Sequence, residues 1–215
     1  MTGPWWPSPY GAGDRIGSGN ELTPEATLAA LRLPRTGRVV ELAQLTTADV
    51  PVIAPRVHHQ VILAHETLEA VSRTAGDNRF STFAEHVVTS YHLEVRPGDA
   101  VLVHTGWSEL WEDEPGRYAA AEPGLDADAA DWLARHRVSL AAVDNWGCDV
   151  YPSPVPGQFF PAHQRLLTMA GIYILENIRT SELAGSTASA PFLFILGVPR
   201  LQGATAAVVA PLAVL

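Results

Sequence analysis

From residue 98 onward, apolar strand-like runs alternate with amphipathic helical ones, and this alternation limits the possible folds more than any other feature of the chain. Residues 100–104 (AVLVH) are nearly all apolar, as in a strand buried on both faces. Asp126 can cap a helix reaching about His136, with Ala130, Leu133 and Ala134 on its inner side. Residues 140–144 form the next strand-like run, followed by a Pro/Gly loop, a helix near 162–170 and a strand over 172–175. Strand–helix–strand–helix–strand predicts parallel pairing through right-handed crossovers. Residues 192–215 offer two or three further short strands, so the fold class is α/β.

The first half reads differently. Residues 1–22 are rich in Gly, Pro, Ser and Trp without periodicity, which predicts an irregular arm whose Trp5 and Trp6 pack on a surface or line a pocket. Thr23 before Pro24 marks a helix start, a hydroxyl cap followed by proline at the first helical position, with the helix running to about Leu31. Residues 38–42 suit a short strand, and 56–65 and 85–95 two more. On the last of these, period-two alternation puts His86, Val88, Ser90, His92 and Glu94 on one face. No repeat and no dividing linker is visible, so residues 1–215 are expected to form a single domain.

Charge and cysteine usage narrow the function. The net charge is −9, and no Lys/Arg cluster is present to neutralise phosphates, which argues against nucleic acid and anionic membrane surfaces as partners. Cys148 is the only cysteine, so no internal disulfide can form and a cytoplasmic location is expected. The opening residues lack the pattern of a signal peptide, and the apolar run PFLFILGVP (191–199) is too short to span a membrane.

In open α/β sheets, ligands and catalysts gather at the carboxyl ends of strands. That logic brings His104, Asp144, Asp149, His163 and Glu176 to one rim, with Trp107 and Trp146 beside them. Each has a plainer reading. His104 could simply bond a loop, and Asp144 could cap a helix. Glu176, at the end of an apolar run, needs a partner if it is buried. Cys148 with His163 nearby raises a thiol-nucleophile hypothesis, against the commoner case of an inert buried cysteine.

Several segments carry a resemblance to a known family. VRPGDAVLVHTGW (95–107), GLDADAADWLARHRVSLAAVDNWGCD (124–149), PAHQRLLTMAGIYILENI (161–178) and GATAAVVAPLAVL (203–215) resemble the cyclase family, which includes kynurenine formamidase and isatin hydrolase. GDRIGSGNELTPE (13–25), HHQVILAHETLE and NRFSTFAEHVVTSYHL fit the same family in the same order. The resemblance implies a swivelling β/β/α fold and metal-dependent hydrolysis of a small amide or lactam. It implies a divalent cofactor, Zn or Mn, with His92 as a ligand. It further implies His163 and Glu176 as catalytic residues, a substrate rim of Trp107, Asp144, Trp146 and His104, and a homodimer or larger assembly.

The family's metal signature is His-x-Gly-Thr-His-x-Asp with a further His four residues on. Side chains at i, i+4 and i+6 of a strand share a face and can converge on one ion. SYHL aligns with its start at His92, but the later positions hold Arg96 and Gly98, and Arg has no acceptor to offer a metal. The chain reads as though a central block were deleted at the 93/94 junction. The alternative expectation is therefore a metal-free or inactive relative that binds or cyclises a small molecule without metal-dependent hydrolysis.

Overall fold

The computed structural model describes residues 8–45, 94–187, 191–202 and 204–215. Trp5, Trp6, the strand expected over 56–65, residues 85–93 of the strand expected over 85–95, and His92 lie outside the described residues, as does the Leu93 side of the 93/94 junction.

In chain order, a 3-10 turn (Gly17–Glu21) leads to helix α1 (Pro24–Ala30) and strand β1 (Val39–Glu41). Thr23 caps α1 as expected, its hydroxyl accepting from the Ala26 N–H. After the expected turn at Pro97-Gly98 come β2 (Ala100–Val103), a 3-10 turn (Trp107–Glu109), and helices α2 (Leu110–Asp113), α3 (Pro115–Ala120) and α4 (Ala127–Arg135). The Asp126 side chain caps α4 through the Ala129 N–H. Then follow β3 (Leu140–Val143), α5 (Pro161–His163) running into a π-helical stretch (Gln164–Ala170), and β4 (Tyr173–Leu175). Helix α6 (Ser181–Thr187) and strands β5 (Leu193–Ile195) and β6 (Leu212–Val214) complete the described elements.

Among the described residues there are two three-stranded sheets. One is parallel, in the order β2-β3-β4; the other is antiparallel, in the order β1-β6-β5. Strand β3 lies between two cores. Ala141 and Val143 pack with Leu133, Leu166 and Ile172 on the helical side, while Leu140 and Ala142 pack with Val40, Leu42, Ile178 and Ala213 toward the antiparallel sheet. Alternate side chains of one strand thus serve two cores, and the layers are antiparallel sheet, parallel sheet, helices. This is the β/β/α order expected from the sequence.

One expectation is corrected. The run 100–104 reads as fully buried, yet every residue of β2 is only half-buried, and the fully buried strand is β3. Among the described residues β2 pairs with β3 alone. The described part of the irregular arm, residues 8–22, is tied to the body by specific bonds. The Ser18 N–H donates to the Gly171 carbonyl at 2.7 Å, its hydroxyl to the Ser139 carbonyl at 2.5 Å, and the buried Glu21 accepts two bonds from Arg137 at 2.9 and 3.0 Å. Gly17 allows this approach: a Cβ there would collide with the Gly171 carbonyl, and its φ of +51° already favours glycine.

No helix among the described residues is long and apolar enough to cross a membrane. Leu166, at 0% exposure in the helical-side core, is expected to lose about 2–5 kcal/mol on Leu166→Ala. Leu28→Ala, at a position 54% exposed on α1, is expected to cost less than about 0.5 kcal/mol. Urea denaturation of the two variants measures the difference.

Candidate active site

The site grows from the carboxyl end of β3, where residues 141–149 are buried without interruption. Two aspartates in this stretch are fully buried, Asp144 and Asp149, and each is surrounded by donors. A buried carboxylate without partners costs several kcal/mol, so the neighbouring segments are organised to supply them.

Asp149 takes the N-terminus of α5. Its oxygens accept from the N–H groups of Ala162 (2.5 Å) and His163 (3.0 Å), two of the donors a helix start leaves free. The same carboxylate holds the His163 ring, with Nδ1 2.6 Å from Oδ2. On the other side, Nε2 lies 3.3 Å from Oε1 of Glu176, just beyond β4. Both ring nitrogens therefore face carboxylate oxygens, which accept only from N–H, so the arrangement favours the doubly protonated ring. Burial opposes that charge, but the bonds to Asp149 and Glu176 and their charges outweigh it and raise the pKa to about 9.

Asp144 gathers the end of β2. It accepts from the Thr105 N–H (3.0 Å), the Thr105 hydroxyl (2.6 Å), the Gly106 N–H (2.8 Å) and the Thr180 hydroxyl (3.0 Å). His104 Nδ1 lies 2.7 Å from Thr180 Oγ1 and 3.3 Å from Asp144 Oδ2, with the ring 39% exposed.

Tyr118 is fully buried, and its hydroxyl donates to Asn177 Oδ1 at 2.7 Å. Burial pushes its phenol upward, and so do the charges of Glu122, Asp144 and Glu176. One hydroxyl thus feels both halves of the rim. Trp107 closes this side, its indole N–H donating to the Tyr118 carbonyl at 3.2 Å.

Residues 122–125 cross the buried loop as a strap. Glu122 and Tyr151 exchange backbone bonds at 2.9 and 3.0 Å, the Leu125 N–H donates to the Cys148 carbonyl at 2.7 Å, and Asn145 Nδ2 donates to the Pro123 carbonyl. Glu122 Oε2 accepts from the N–H groups of Trp146 (2.8 Å) and Gly147 (2.9 Å), while Oε1 is buried with no partner among the described residues. Burial raises this carboxyl to about 9, the two backbone bonds pull the other way, and Glu176 and Asp149 add to the rise. At neutral pH Glu122 is a neutral acid.

The structure thus joins His163 to Glu176 and Asp149, and His104 to Asp144. Trp107 stands at the rim, and Trp146 is buried against Tyr151 and Phe160 with its indole N–H unpartnered among the described residues. Sequence reasoning missed Glu122, Tyr118 and Thr180, whose roles depend on pairings that no local pattern announces. The nucleophile reading of Cys148 finds no support. Its thiol is buried and pushed well up by burial and by the charges of Glu176, Asp149 and Glu122, the reverse of activation.

Among the described residues no three His, Cys, Asp or Glu side chains are disposed to hold a metal ion. His163 has both ring nitrogens turned to carboxylates. These residues do not by themselves fit the divalent ion that the sequence resemblance implies, and the expected ligand His92 lies outside them.

A parallel sheet whose strand ends carry paired histidines and buried carboxylates is the framework of an α/β protein with its site at the strand ends. The sequence pattern of the cyclase family matches residues 41–150, just over half of the chain, and the chain belongs to that family. The crystal structure of a novel cyclase superposes with a TM-score of 0.74 at 21% identity, covering 95% of this chain and 97% of that one. Isatin hydrolase A from Ralstonia solanacearum is similar over 56% of this chain and 46% of its own, with 20% identity and a TM-score of 0.49. A protein described as a potential metal-dependent hydrolase with cyclase activity overlaps 57% of this chain and 53% of its own, at 24% identity and a TM-score of 0.43. No curated protein matches the chain.

The two raised pKa values set the alkaline behaviour. Folded His163 titrates near 9 against an ordinary 6.5, and Glu122 near 9 against 4.5. Each contribution is complete below the ordinary value and is lost as pH rises through the folded one. Thermal stability should therefore decline from about pH 5 to about pH 9. Glu122→Gln, which keeps a neutral group in place, should melt at least ~3 °C above the wild type at pH 8.5, with the gap closing toward pH 5. Melting curves across that range check the prediction.

Proposed function

We propose that this cyclase-family chain is a hydrolase that opens the C–N bond of a small amide or lactam, as the family resemblance to kynurenine formamidase implies. The observation that carries the proposal is the His163 ring held between Asp149 and Glu176 at the rim. The short Nδ1 contact fixes the ring, whereas the longer Nε2 contact, at 3.3 Å to a partly exposed Glu176, is the one a substrate can replace. In that position Nε2–H donates its proton to the leaving nitrogen as the C–N bond breaks. Asp149 holds the ring in place and Glu176 holds its charge until the substrate arrives. Trp107 and Asp144 shape one side of the rim, and Phe160, backed by Trp146, the other. A divalent ion engaging His92, a homodimer or larger assembly and a cytoplasmic location belong to the same reading, but no step above runs through them.

A second reading is small-molecule binding without hydrolysis. It is favoured by the buried Trp146 N–H, unpartnered among the described residues, beside the rings of Tyr151 and Phe160, with Phe159 packed on both.

Absorbance assays on N-formylkynurenine, isatin and simple N-acyl anilines separate the two. The hydrolase reading expects turnover by the wild type and a loss of about 10²-fold or more in kcat/KM for His163→Gln. No turnover of any of these, together with ligand quenching of tryptophan fluorescence that survives EDTA, would establish the second reading instead.

A further inference from the structure

The two rim histidines are bonded in opposite senses. His163 has an acceptor at each nitrogen. Among the described residues His104 has one at Nδ1 only, and its tautomer follows from counting protons. Asp144 is ringed by donors, from Thr105 N–H, Thr105 hydroxyl and Gly106 N–H, so it acts as an acceptor. The Thr180 hydroxyl, 3.0 Å from Asp144 Oδ2, must then spend its single proton on that carboxylate. Toward His104 it can only accept, so the proton on the His104 ring sits on Nδ1, 2.7 Å away. Nε2 is left with its lone pair on a ring that is 39% exposed at the rim. This is the logic of a base held by a hydrogen-bonded carboxylate, with a threonine hydroxyl between them.

We propose that His104 is the general base of the hydrolysis, taking a proton from the attacking water through Nε2 while His163 serves as the acid. The assignment rests on the amide-hydrolysis reading above. In the balanced step, the water oxygen bonds to the carbonyl carbon and one water proton passes to His104 Nε2. The C–N bond then breaks and the leaving nitrogen takes the proton from His163 Nε2. The products are a carboxylic acid and an amine. His104 ends one proton richer and His163 one poorer, and exchange with solvent restores both. Asp144 is the charged group in contact with His104, and Glu122 and Glu176 stand around the neighbouring Tyr118 hydroxyl. Thr180 and Asp144 act as positioning residues, since they hold the ring without touching the reacting atoms.

His104→Asn tests the role directly, because the Asn amide can still donate to Thr180 while nothing replaces Nε2. The expected result is an unchanged melting temperature, a kcat reduced about 10²–10⁴-fold, and loss of the acidic limb from the pH profile of kcat/KM. Thr180→Val should give a smaller loss and a mixed His104 tautomer in long-range 1H–15N spectra. A His104→Asn variant that keeps its acidic limb and a rate within about threefold of wild type would overturn the assignment. So would a wild-type His104 ring protonated on Nε2. Absence of turnover by the wild type is a separate result, which defeats the hydrolase reading. The tautomer then decides alone whether His104 is the rim's proton acceptor, Nδ1–H supporting it and Nε2–H overturning it.

Discussion

The rest of the site depends on the desolvation of two carboxylates at the end of one strand. Asp144 and Asp149 have no exposed surface, so donors must come from the protein. Asp144 draws in the end of β2 through Thr105 and Gly106 and the start of α6 through Thr180. Asp149 draws in the first N–H groups of α5. Each histidine arrives as part of that recruitment. His104 is the residue before Thr105, and His163 is itself one of the backbone donors to Asp149. The geometry of the rim is therefore set by the need to pair two buried charges.

The same residue type acquires opposite character from its neighbours. His163 lies between two acceptors and is driven toward the charged form, whereas a hydroxyl already committed to Asp144 leaves His104 with a bare nitrogen. Glu122 makes the complementary point for carboxyls. Two backbone N–H bonds would ordinarily favour its anion, but burial beside Glu176 and Asp149 outweighs them. Divergent protonation states at one rim are what acid–base chemistry needs.

Much of the framework was legible in the sequence because it rests on local signals. Thr23-Pro24 and Asp126 announced their helices through capping chemistry, and apolar runs located β2, β3 and β4. The rim residues followed from the rule about strand ends. Burial was harder to read: AVLV looks as apolar as LAAV, but only β3 has a described strand on each side. Helix α6 was missed since SELAGST has a small, polar composition with no apolar stripe. Glu122 and Tyr118 sit in a Pro/Gly-rich stretch that reads as solvent-facing, and their importance comes from contacts with residues 24 to 59 positions away.

The antiparallel sheet has a consequence for how the molecule is made. Strand β1 pairs only with β6 among the described residues, and the Thr36 hydroxyl donates to the Leu215 carbonyl, 179 residues further along the chain. Val40, Leu42 and Ala213, which share the core beneath that sheet, come from both extremes of this span. A chain growing on the ribosome can form the α4–β3–α5 region from close neighbours, but β1 must wait for residues 212–214 to emerge. Closure of the antiparallel layer is thus a long-range event, of the kind that slows folding and leaves an apolar sheet face uncovered until residues 212–214 have been made.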